Sequence, residues 1–134
     1  MRAALRAIGR SSWPERLGRL GLCAAYLQGG LDKAFDFPAA IAEQAHFGLT
    51  PAPVFALAAI VTELVGSVLI LSGILRWLGA LWLAGFTLMA TFLANAFWAL
   101  PPGMARFAAE NTFFEHLGLI GGFLIVAAVD LRRS

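Results

Sequence analysis

Glu63 is the side chain whose chemistry its neighbours explain least. It stands in an apolar run from Pro51 to Gly73, twelve positions past Pro51. At 1.5 Å per residue the carboxyl lies ~18 Å along a helix, close to the middle of a bilayer if that helix crosses one. An ionised carboxylate there is costly unless it is protonated, paired or wetted by a cavity. Two readings stay open. Glu63 is a proton-active or ligand-binding group, or it is a neutral acid bonded to a backbone carbonyl or to Thr91 on a facing helix.

Lys33 is the next candidate, one helical turn after Gly29. Asp36 at i+3 offers a local ion pair near the membrane surface. The alternative folds Lys33 inward toward Glu115 or Glu63, with Glu115 the first choice because both groups fall in the same half of the membrane. Asn95, Asn111 and His116 complete the polar set. Glu115 and His116 are adjacent and point in different directions on a helix, so they make no ligand pair. His46 lies between hydrophobic runs, out of depth with His116, which argues against a bis-histidine haem. No GxGxxG, P-loop or nucleophile beside a base is present. Cys23 is the only cysteine, which excludes an internal disulfide or a CxxC dithiol and fits a small packing residue. No metal site, no intrinsic cofactor and no autonomous catalytic set are therefore expected. Trp82, Trp98, Phe113 and Phe114 read as lipid-facing or belt aromatics rather than as a quinone box.

The elements that must position these groups are membrane helices. Apolar residues make up 60% of the 134 and charged residues 13%, about half the charge of an ordinary soluble domain. A chain this short cannot hide that much apolar surface, so lipid must cover it. Residues 51–73, 75–100 and 107–129 are each long and apolar enough to cross a core of ~30 Å. Residues 17–37 form a weaker span, with a helix start marked by Ser12-Trp13-Pro14-Glu15 as a capping box with proline in the first turn. Residues 38–50 are too short and polar to cross and fit an interfacial helix. The tight link Ser72 to Arg76 makes the second and third spans an antiparallel hairpin, and Pro101-Pro102-Gly103 ends the third. The expected fold is an all-α membrane protein, a four-transmembrane-helix up-down-up-down bundle forming one domain over residues 1–134.

Basic residues set the orientation. Arg2, Arg6, Arg10, Arg16, Arg19, Arg76, Arg132 and Arg133 fall at one end of such a bundle, Lys33 and Arg106 at the other. The positive-inside rule then places both termini in the cytoplasm. Residues 1–13 read as a basic surface segment, with Arg2, Arg6 and Arg10 on one helix face against anionic lipid. Basic groups confined to one end, without interleaved exposed aromatics, do not describe a nucleic-acid surface.

Small residues at three-four spacing predict the faces that pack, since helices in lipid associate by close contact. The stripes are Ala52, Ala56, Ala59, Glu63, Gly66 and Gly73; then Ala80, Ala84, Thr87, Thr91 and Ala94, with Asn95 alongside; then Asn111, Glu115, Gly118 and Gly122. Each carries a polar group, and all three are expected to face inward.

Five runs in order resemble the DoxX family over residues 17–130. They are Gly30-Leu31-Asp32-Lys33-Ala34-Phe35-Asp36; Gly48-Leu49-Thr50-Pro51-Ala52-Pro53; Thr62-Glu63-Leu64-Val65-Gly66-Ser67 with Ser72-Gly73-Ile74-Leu75-Arg76; Ala94-Asn95-Ala96-Phe97-Trp98; and Phe114 through Gly122. Lys33 and Glu63 match the family pattern. Asn95 stands where the family often has His, and Glu115-His116 where it often has Lys-Asn. The resemblance implies a four-helix protein of the bacterial inner membrane associated with oxidoreductase systems. On that basis the expected role is an accessory subunit beside a larger redox protein, with a quinone of the membrane pool as the one cofactor-like ligand left open. Two other classes remain: a binder or carrier of a small apolar or lipid-like molecule around Glu63, and a structural scaffold subunit of a larger membrane complex.

Overall fold

The computed structural model describes residues 1–134 and contains helices and no strands. The helices are α1 (Arg2–Arg10), α2 (Trp13–Phe35), α3 (Phe37–His46), α4 (Ala52–Ser72), α5 (Arg76–Ala94) and α6 (Met104–Arg133), with one 3-10 turn at Phe97–Ala99. Three stretches are long and apolar enough to cross a membrane: α4, α5 with its 3-10 extension, and α6. At 23 residues α2 has the length for it, but Glu15, Arg16, Arg19, Asp32 and Lys33 lie within it.

Helix α4 packs between α2 and α5, α6 lies on α5, and α6 meets α2 sparingly. The core is built from small side chains. Cys23, Ala56, Ser67, Ala80 and Thr91 are fully covered, with Ile70, Leu83 and Phe123 filling the space between them. Glycine sets the closest approach. A Cβ on Gly79 would stand 2.8 Å from the Gly66 carbonyl oxygen of α4, so α4 and α5 touch backbone to backbone, as association through small residues requires. Only 20 of 134 residues are buried. Val54, Leu57, Val68, Leu88, Leu124 and Ile125 turn outward, an apolar perimeter that suits lipid and not water.

The predicted stripes of α4 and α5 are buried from Ala52 to Gly66 and from Ala80 to Thr91. Gly73 and Ala94, at the ends of the two stripes, are exposed. The stripe predicted on α6 holds only at Gly122, half-buried against Leu22 of α2. Asn111, Glu115 and Gly118 are exposed, whereas Phe123 and Ala127 are buried and His116 is half-buried. On a helix one residue is a rotation of about 100°, so the face beginning at His116 replaces the face beginning at Glu115. Phe123 decides it, closing edge-on against Tyr26 at 5.2 Å between ring centres.

The helix ends depart from expectation in two places. Ser12 has helical backbone angles and its side chain caps nothing, so the capping box does not form; Glu15 turns instead to Arg133 and Arg19. Helix α5 stops at Ala94 rather than running to residue 100. There the chain tightens through the 3-10 turn, where Phe97 and Trp98 pack on Phe113 at 5.5 and 5.7 Å. At the opposite end the α4–α5 turn uses Gly73 at φ 86°, a left-handed position that favours glycine. The Arg76 Nε–H donates to the Ile70 carbonyl at 2.7 Å, and the Trp77 N–H to Asp130 Oδ2 at 3.0 Å. Orphan groups at the end of α4 and the start of α5 are thereby satisfied.

Candidate functional site

Lys33 and Glu63 meet. Helix α2 carries Lys33 in its last turn, and α4 carries Glu63 near its midpoint, ~17 Å from Ala52. The Lys33 ammonium donates to Glu63 Oε1 at 2.9 Å, with the two side chains 18% and 9% exposed. This corrects the expected partner. Glu115 is exposed on α6, and no contact joins Lys33 to Asp36. Glu63 does not bond Thr91 either, whose hydroxyl shares a 2.6 Å hydrogen bond with His116 Nδ1.

The approach of α2 to α4 depends on Gly29 and Gly30. A Cβ on Gly29 would fall 2.8 Å from Glu63 Oε2, and one on Gly30 would fall 2.7 Å from Leu64. The carboxylate therefore lies directly against the α2 backbone. One of its oxygens is taken by Lys33. The other, Oε2, is buried and has no hydrogen-bond partner. A buried polar atom is ordinarily satisfied, and a buried ion pair needs its remaining lone pairs bonded to recover the cost of desolvation. The site is thus short of one donor.

Beside this carboxylate opens a cavity of about 560 Å³. Its walls are α4 and α5, with α3 folded over one end and Lys33 and Glu63 at its polar edge. Ala58, Ala59 and Thr62 form the α4 side, Trp82, Phe86 and Met89 the α5 side, and Gln44 of α3 and Phe47 just after it reach in over one end. Gly85 lines it with open space in front of its missing side chain. The volume falls in the range of small-molecule sites, and an apolar wall with a few convergent polar groups is their usual chemistry. A second opening, lined by Asp32, Lys33, Asp36 and Glu43, joins the Lys33 region at the end of α2.

Behind the ion pair Ser67 Oγ is likewise buried without a partner, while two other polar groups bond one another. The Tyr26 hydroxyl pairs with Thr87 Oγ1, which in turn donates to the Leu83 carbonyl at 2.7 Å. Asn95 ends α5 as its C-terminal cap residue. Of the six candidates read from the sequence, Lys33 and Glu63 come together at the cavity and His116 bonds to α5. Asn95 is half-buried outside the cavity, and Asn111 and Glu115 face outward. Gln44, Trp82 and Gly85 were not foreseen as site residues. Tyr26 offered a signal, as the chain's single tyrosine inside an apolar helix.

The DoxX family model matches residues 16–96. That stretch is more than half of the chain and contains α2 from Arg16, α3, α4 and α5 with Lys33 and Glu63. The chain belongs to the DoxX family. With its apolar helices, membership makes it a multi-pass membrane protein. No curated protein and no solved structure matches it. In this DoxX protein the matched region holds both charges of the ion pair and the cavity walls. Asn111, Glu115 and His116 lie beyond it.

Proposed function

We propose that this protein takes up one small amphiphilic molecule from the bilayer, with its apolar body between α4 and α5 and its polar head at Lys33 and Glu63. The observation that carries this reading is Glu63, with one carboxylate oxygen unpartnered, among the residues lining a largely apolar cavity. A head group with one donor for Oε2 and one acceptor for the Lys33 ammonium completes both. Membrane quinols and hydroxylated lipids have that chemistry. The accessory role beside a redox enzyme, expected from the family resemblance, would draw on the same cavity.

Helix α2 is then a fourth span. Its polar end is spent on the ion pair to α4 rather than on lipid, which lowers the cost of carrying Lys33 into the membrane. Both termini and Arg76 then lie in the cytoplasm of a bacterial inner membrane, by the distribution of basic residues.

The test is mass spectrometry of small molecules extracted from protein purified in mild detergent. About one amphiphile per chain is expected from the parent, and its loss from Gly85→Phe, which fills the cavity without touching the ion pair. Equal recovery from the two, or none from the parent, would remove the reading.

A further inference from the structure

The end of the molecule that carries both termini holds a separate cavity, of about 210 Å³, where α2 and α6 part. It has no bearing on the Glu63 site. Arg19 of α2, Arg76 at the start of α5 and Arg133 at the end of α6 line it, with Glu15 and Asp130. Three guanidinium groups face two carboxylates, so one positive charge is in excess.

Both carboxylates are engaged. Glu15 receives Arg133 through both of its oxygens, Nη1 to Oε2 at 2.8 Å. Asp130 accepts the Trp77 N–H at 3.0 Å. Arg76 has no carboxylate within 4.0 Å, and only its Nε is used, on the Ile70 carbonyl. Arg19 reaches Glu15 no closer than 3.6 Å, although its side chain is just 15% exposed. Two partly desolvated guanidinium groups therefore face one cavity with unused donors. Such groups are costly without an anion, and a phosphate accepts their forked N–H geometry well.

The cavity also has an apolar way out. Gly18 leaves open space where a side chain would stand, and Ile125 beside it is 66% exposed. An anion alone needs neither.

We propose that this cavity holds the phosphate of an anionic phospholipid, bound by Arg19 and Arg76, with an acyl chain laid over Gly18 and against Ile125. Lipid of this kind bridges α2 to α5 and α6 where the protein's own contacts are sparse. Basic pockets between helices near the membrane surface suit such head groups.

Thermal unfolding of the full chain in uncharged detergent tests it, with phosphatidylglycerol, phosphatidylcholine or inorganic phosphate added. Phosphatidylglycerol is expected to raise the melting temperature by several degrees and phosphatidylcholine to leave it unchanged. Arg19→Gln and Arg76→Gln should abolish the rise. Because Arg76 also holds the Ile70 carbonyl, the deciding variant is Arg19→Gln, which gives up only the 3.6 Å ion pair to a Glu15 already held by Arg133. Gly18→Leu, blocking the acyl path, should remove the response to lipid while leaving the guanidinium groups in place. A full phosphatidylglycerol response in Arg19→Gln would overturn the site and assign the effect to α1. Inorganic phosphate protecting as well as the lipid, with both responses kept in Gly18→Leu, would make the ligand a free phosphate and overturn the lipid assignment.

Discussion

At the scale of single residues one ion pair defines the site. Lys33→Met leaves the Glu63 carboxylate buried without its cation, which is expected to lower stability by about 3 kcal/mol. The double variant Lys33→Met/Glu63→Gln should recover part of that loss, a coupling that a thermal double-mutant cycle reads directly. Lys33→Met combined with Glu115→Gln should be additive, because Glu115 is exposed and lies away from Lys33. Glu15 makes a separate case. Its exposed carboxylate is held down to about 2, chiefly by its hydrogen bond from Arg133. A folded value below the ordinary 4.5 contributes stability that is present above pH 4.5 and lost as pH falls toward 2. Glu15→Gln should remove that contribution above pH 4.5 and so flatten acid unfolding in that window by the same amount, a small one because the pair is exposed. The sequence showed that Lys33 and Glu63 were out of place in apolar helices. It did not show that they were each other's answer, because a lysine can turn to either side of its helix and Asp36 was nearer in the chain.

At the scale of elements, glycine separates close contacts from open ones. In Gly79→Ala the new methyl meets the Gly66 carbonyl oxygen at 2.8 Å, and backbone cannot step aside. The variant should lose about 1–3 kcal/mol through strain at the α4–α5 contact. Gly85→Ala points into open space and should be neutral or slightly stabilising, since alanine suits a helix better by up to ~1 kcal/mol. Chemical denaturation in detergent distinguishes the two, and equal effects would mean that α4 and α5 do not approach as closely as described. The stripes of α4 and α5 were legible because alanine and glycine fall on one face and large residues on the others. Helix α6 is apolar nearly all round, so glycine and phenylalanine offered two faces a residue apart. Phe123 won through a partner, Tyr26, that lies about a hundred residues away in sequence. The cap at Ser12 failed for a tertiary reason as well, since Glu15 finds Arg133 at the far end of the chain.

For the whole molecule, topology and cavity stand together. If α2, α4, α5 and α6 all cross, a single cysteine at Gly48 or Gly103 in a Cys23→Ala background labels with an impermeant maleimide from outside the cell. Labelling from the cytoplasmic face alone would reverse the orientation. The number of apolar runs and the basic end were readable from composition. The cavity was not, because it depends on α3 folding back over α4 and bringing Gln44 and Phe47 to walls made by α4 and α5. The most direct test is an experimental structure of the parent chain in a lipid phase. One elongated molecule is expected between α4 and α5, with a polar head within hydrogen-bond reach of both Glu63 Oε2 and the Lys33 ammonium. A cavity closed by its own side chains, or one holding only an acyl tail with no polar atom near Glu63, would contradict the proposed site.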